Sequence, residues 1–151
     1  MRRLLTGFFG VLCMLAVVPA SADDRCDEAR ASVAILDAKL STIAAQRDAS
    51  WPDIKTMSAN VQREQPAGDD VSAVRTWLCA VIGSRLQLDA GELRLLEIKL
   101  DLADDVRQAC PNAERLAAIM SDEANTTYNR VLSGTDLLKT MKKMHCKGVG
   151  E

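Results

Sequence analysis

The chain has a single histidine, His145, beside Cys146. Serine or cysteine hydrolysis needs a nucleophile with a base next to it, and a histidine flanking a cysteine that export oxidises does not supply that pair. Met141, Met144, His145 and Cys146 are close in sequence and include the soft ligands that hold Cu(I). Met141 and Met144, however, recur at helical spacing on an apolar face, where methionine fills core gaps. Asp101, Asp104 and Asp105 place carboxylates at i, i+3 and i+4. Such groups do acid–base work when a dry pocket separates their pKa values, but beside Arg107 they read as a solvated helix face. A calcium site needs more oxygens, from a loop with glycine. The expectation is therefore no enzyme, no cofactor and no metal centre, with Met141, Met144 and His145 as the weak metal candidates.

Two other groups suit recognition rather than reaction. Lys139, Lys142, Lys143 and Lys147 form a basic patch that can dock an acidic partner or anionic headgroups. Trp51 stands before Pro52 at a helix entrance, a place for a binding anchor, since tryptophan is enriched among interface hot spots. With Trp77 and Tyr128 it completes the aromatics that follow the leader, too few for a base-stacking surface.

The elements that must position these residues begin after an address. Arg2 and Arg3 precede an apolar run from Leu4 to Val18, and Ala20-Ser21-Ala22 fits small-residue cleavage, so residues 1–22 read as a secretory signal. Cys13 lies within it and is discarded. What remains, 23–151, is one domain of ordinary size, with 147–151 as a frayed tail. It carries 17 basic and 21 acidic residues, net charge near −4, which argues against nucleic acid. No later apolar span suggests a membrane crossing.

Apolar periodicity predicts an all-α, up-and-down bundle of five to six helices. Cys26, Ala29, Val33, Leu36, Leu40 and Ile43 alternate steps of 3 and 4, a heptad seam. Ser50 caps a short helix with Ile54, Met57 and Val61 inward, and 64–70, with Pro66 and Gly68, is a loop. Val71, Val74, Leu78, Val81, Ile82 and Leu86 line the next helix, from a cap at Asp69 or Asp70. Asp89-Ala90-Gly91-Glu92 reads as a capping box opening another, with stripes Leu93, Leu96, Leu100, Ala103 and Leu95, Ile98, Leu102, Val106. One continuous helix through Gly83 and Gly91 is the competing reading. Asn112 caps a fifth helix, with Leu116, Ile119, Met120, Ala124, Tyr128, Val131 and Leu132 inward, stopped by Ser133-Gly134. Thr135 caps a last helix, with Leu137, Leu138, Met141 and Met144 inward, ending near Cys146.

Four cysteines follow the leader, Cys26, Cys79, Cys110 and Cys146. An even number in an exported chain implies two disulfides, and no pair has C-x-x-C spacing. At ~1.5 Å per residue, with a turn near Leu88, Cys79 and Cys110 end far apart against the roughly 7 Å between Cα atoms that a bridge allows. Alternating helices instead bring Cys26 beside Cys110 and Cys79 beside Cys146.

In architecture an exported, disulfide-tied helical protein of this size is similar to helical periplasmic immunity proteins that neutralise cell-wall amidases, and to secretion pilotins, although the chain lacks a lipobox and no motif aligns with either. The resemblance implies a periplasmic or secreted protein that binds another envelope protein as inhibitor, immunity protein or assembly chaperone. A small-ligand or Cu(I) carrier, with a pocket near Met57, Met120, Met141 and Met144, is the alternative.

Overall fold

The computed structural model describes residues 22–63 and 70–149. The segment read as a secretory signal, except Ala22, and positions 64–69 of the expected 64–70 loop lie outside the described residues, while Asp70 already belongs to a helix. Within them the chain is helical, without strands: α1 (Ala22–Ala49), α2 (Trp51–Arg63), α3 (Asp70–Ala109) and α4 (Glu114–His145). Three of these are long, at 28, 40 and 32 residues, and the 13-residue α2 takes up where α1 stops. The expected five or six helices reduce to three long ones and this short continuation.

The difference lies at three glycines. Gly83 and Gly91 are inside α3 and Gly134 is inside α4. Each costs about 1 kcal/mol against alanine in a helix interior, yet packing on both sides holds the helix through it. No neighbour lies within 4 Å of where a Cβ would sit at any of the three, so none is needed for close approach. Asp89 and Glu92 fail as a capping box because both carboxylates are engaged elsewhere, Glu92 by Arg47 on α1 and Asp89 by Arg85 one turn back on α3 and by Thr135 on α4. Thr135 is likewise no cap. It is buried, with its hydroxyl 2.9 Å from the Val131 carbonyl and 3.1 Å from Asp89 Oδ2. Asn112 does not cap α4 either. It takes the left-handed conformation (φ 59°) in the turn after Cys110, and Ala113 occupies the cap position without a side-chain bond. Asparagine is among the residues that tolerate that conformation.

α1 and α2 together match α3 in length, ~60 Å at 1.5 Å per residue. α1 packs on the C-terminal half of α3 and α2 on its N-terminal half, while α4 runs back along both. Three apolar clusters follow one another along this rod. At one end Cys26 and Ala29 meet Ala103, Val106, Cys110 and Met120. In the middle Leu96 meets Ala124 and Val131, with Leu40, Leu93, Leu100 and Tyr128 around them. At the other end Ile54, Met57 and Val61 meet Leu78, Ile82 and Leu138. α4 turns a different set inward than periodicity from Asn112 suggests. Ala117 is buried, whereas Leu116, Ile119, Leu132, Leu137 and Met144 are exposed, as is Ile98 on α3.

The disulfides clamp opposite ends. Cys26 at the start of α1 is bonded to Cys110 just beyond α3, Cα–Cα 4.8 Å, and Cys79 near the start of α3 to Cys146 just beyond α4, Cα–Cα 5.7 Å. The route differs from the one expected. With α3 unbroken, Cys79 and Cys110 are roughly 46 Å apart along one axis, and the start of α1 and the end of α4 each meet one of them.

Candidate functional site

Between the middle cluster and the lower one, which holds Ile54, Leu78 and Leu138, the core is interrupted by charge. Arg47, in the last turn of α1, donates from Nη1 to both oxygens of Glu92 at 2.9 Å, and from Nε to Asp48 at 3.0 Å. Two turns before Glu92 on α3, Arg85 donates from Nε to Asp89 at 2.9 Å, and from Nη1 to Ser50 Oγ at 2.9 Å and to the Arg47 carbonyl. Arg47, Arg85, Asp89 and Glu92 are each less than 9 % exposed. Ser50 turns its own hydroxyl back to the Arg47 carbonyl at 2.8 Å, so it closes α1 rather than capping α2. The Arg85 bonds thus fasten the α1–α2 junction onto α3, and Thr135 ties in α4.

Burial favours the neutral acid, and it holds the Glu92 carboxyl above its ordinary range against the opposing pull of Arg47; nearby Asp89 adds to the rise. For Arg47 burial works the other way, but the Asp48 hydrogen bond and the Glu92 charge outweigh it and raise its pKa. Exchanging such a belt for apolar side chains is often neutral, but removing one partner costs several kcal/mol. It therefore fixes register more than it adds stability. A second tie sits higher, where Lys99 on α3 reaches Asp37 on α1 at 2.9 Å and Glu123 on α4 at 3.5 Å.

The belt forms one side of an open cleft of about 360 Å³ between the α1–α2 junction and α4. Trp51 lines it, half-buried rather than presented as a free anchor, with the Arg85 guanidinium 5.9 Å and Lys55 Nζ 5.5 Å from its ring centre. From α4 come Arg130, Val131, Gly134, Leu137 and Leu138.

A different surface runs along α1. Its buried seam has a counterpart on the outside: Ala31, Ile35, Ala38, Thr42, Ala45 and Ala49 are all exposed and also alternate steps of 4 and 3. Ile35 is 59 % exposed. α1 is accordingly almost without amphipathic character. A groove beside this stripe is formed by Ile35, Ala38, Lys39, Thr42, Ile43 and, across on α3, Leu95. Ile98 and Leu102 extend its far wall by helical spacing.

The residues singled out from the sequence fare differently. Lys139, Lys142, Lys143 and Lys147 are all exposed and line one shallow hollow with Leu86, Cys146 and Gly148. Lys139 also meets Asp136 at 3.4 Å. Met141 packs against the lower cluster, Met144 is 62 % exposed, His145 Nε2 lies 3.3 Å from Ser58 Oγ, and Cys146 is oxidised. Met57 and Met120 belong to different clusters, so the four methionines do not surround one pocket. Asp101, Asp104 and Asp105 face solvent, with Asp104 taking Arg107 at 2.8 Å. Among the described residues no group of three or more histidine, cysteine or acidic side chains is placed to hold a metal ion, and no helix is long and apolar enough to cross a membrane.

Neither the protein-family models, nor the curated proteins, nor the solved structures contain a match to the chain.

The arginine belt escaped sequence reasoning because its members lie on three helices and each looks like a surface charge locally. The outer seam of α1 also went unread, although its 3–4 spacing is as regular as that of the inner one; Lys39 flanks its middle, with Asp27, Glu28 and Asp48 near its ends.

Proposed function

We propose that the chain is a non-enzymatic protein of the periplasm or cell exterior that binds another envelope protein, as an inhibitor, immunity protein or assembly chaperone does. The observation that carries this reading is the open apolar seam of α1. The occupant that fits is an amphipathic helix of the partner. Exposed positions at alternating 3 and 4 steps accept a helix at a shallow angle, and the alanines at 31, 38, 45 and 49 let the two backbones come close. Lys39 in the groove wall pairs with an acidic residue beside the partner's apolar stripe. The leader and the two disulfides support an oxidising compartment. The basic hollow around Lys142 supplies long-range attraction for an acidic partner.

The test is capture from an envelope extract of the source cell by the immobilised chain, in parallel with Ala38→Glu and Lys142→Glu. A protein held by the wild type, lost with Ala38→Glu and retained, though more slowly captured, with Lys142→Glu supports the reading. Equal capture by all three overturns the seam as the docking surface. Sedimentation of the pure chain separates the case in which a second copy covers the seam.

A further inference from the structure

We infer that Cys146 is a site of thiol–disulfide exchange that admits small anionic thiols, independent of the α1 seam. The two bridges sit in opposite surroundings. Cys26 and Cys110 are 6 % and 4 % exposed, inside the cluster with Ala29, Ala103, Val106 and Met120. Cys79 and Cys146 are both half-buried, and Cys146 is part of the lining of the open hollow at the end of α4, about 480 Å³ in volume. Exchange requires an attacking thiolate to reach a sulfur, so access separates a labile bridge from an inert one.

The hollow also selects the charge of what enters. Its lining contains Lys139, Lys142, Lys143 and Lys147 and no acidic residue. Lys139 shares its charge with exposed Asp136 at 3.4 Å, and Lys142, Lys143 and Lys147 are exposed within four residues of Cys146. Such a cluster concentrates small anions locally, an effect that salt screens. The step is an exchange with no net oxidation. The entering thiolate attacks Cys146 Sγ and forms a mixed disulfide there, while the Cys79–Cys146 bond breaks and leaves its electron pair on Cys79 as a thiolate. A second equivalent of thiolate displaces the first from Cys146 as the small-molecule disulfide, and both cysteines are then reduced. By i, i+4 spacing on α3 the leaving Cys79 has Arg75 as a neighbour, and a nearby arginine favours the thiolate. Arg75 Nε is the one buried side-chain nitrogen or oxygen without a hydrogen-bond partner among the described residues. Opening this bridge frees the end of α4 from α3 while Cys26–Cys110 still clamps the other end of the rod.

The test exposes the oxidised chain, at low ionic strength, to mercaptoethanesulfonate (anionic), mercaptoethanol (neutral) and cysteamine (cationic). Dividing each rate by that thiol's rate on a neutral model disulfide removes its intrinsic reactivity. Acid quenching, alkylation and peptide mass spectrometry then follow the two bridges separately. Cys79 and Cys146 should be labelled at least about ten-fold faster than Cys26 and Cys110, and the trapped mixed disulfide should map to Cys146. The normalised rate should be about seven-fold higher for mercaptoethanesulfonate than for cysteamine, as a local potential of ~1 kT gives. That preference should collapse at ~1 M salt and in Lys142→Gln/Lys143→Gln, whose oxidised form should keep its melting temperature because both lysines are exposed. Equal opening of the two bridges, earlier opening of Cys26–Cys110, or a mixed disulfide on Cys79 overturns the inference. So do normalised rates that ignore the charge of the thiol, or a preference unchanged in the lysine variant.

Discussion

Removing Arg47 should cost far more than a surface charge, and removing Glu92 with it should restore most of the loss. In Arg47→Met the Glu92 carboxylate, 1 % exposed, loses two 2.9 Å hydrogen bonds from one guanidinium and no water replaces them cheaply. A buried ion left alone costs about 3–5 kcal/mol. The Asp48 contact, whose carboxylate is 70 % exposed, adds at most ~1 kcal/mol. The Arg47 carbonyl that Arg85 binds is backbone and survives the substitution. Arg47→Met/Glu92→Leu replaces both charges with apolar side chains, and such exchanges are often neutral. A double-mutant cycle by urea unfolding should therefore give an interaction energy of about 2–3 kcal/mol. The reasoning fails if Arg47→Met alone costs under ~1 kcal/mol, the value of an exposed pair, or if the double variant is no more stable than the single.

Reduction should lower the melting temperature without abolishing helicity, since each bridge closes a loop of 67 or 84 residues and is worth ~2–4 kcal/mol; identical melts with and without reductant would mean unpaired thiols. Alanine at Gly83, Gly91 or Gly134, where nothing meets a new Cβ, should stabilise by about 0.5–1 kcal/mol each, and loss of stability would place a turn there. Glu92 has a pH signature. Its folded pKa is raised above the ordinary 4.5, so between the two values the folded chain binds more protons than the unfolded one. Its contribution is then fully present below that ordinary value and is lost as pH rises through the raised one. Unfolding free energies across that window should lose this downward component in Glu92→Gln, and an unchanged profile would assign the slope to other groups.

Helical class was legible because the 3–4 apolar pattern runs almost without interruption from Cys26 to Met141. Boundaries were not. Gly83, Gly91 and Gly134 look like stops to any local rule, and the information that overrides them is tertiary: Asp89 and Glu92 on α3 are held by Arg85 and Arg47, and Thr135 on α4 bonds Asp89. The same three residues imitate caps for that reason, since short polar side chains that bond across a bundle and those that bond their own backbone are the same residue types. On α4 apolar residues fall on more than one face, so Leu116 and Ile119 could be assigned inward with Met120 and Ala124, whereas the face that meets the core carries the small Ala117 instead. Of the site, the lysine hollow needed only helical spacing, whereas the cleft required knowing that the end of α1, the centre of α3 and the middle of α4 share one level.

The central claim is that a partner's helix lies along α1. A photoreactive benzoylphenylalanine placed at Ala38, with a second version at exposed Asp122 on α4, tests it inside the source cell. A discrete adduct heavier than the chain at position 38 and none at 122 is the expected result. No adduct at 38, equal labelling from both positions, or an adduct of twice the chain's own mass would contradict it.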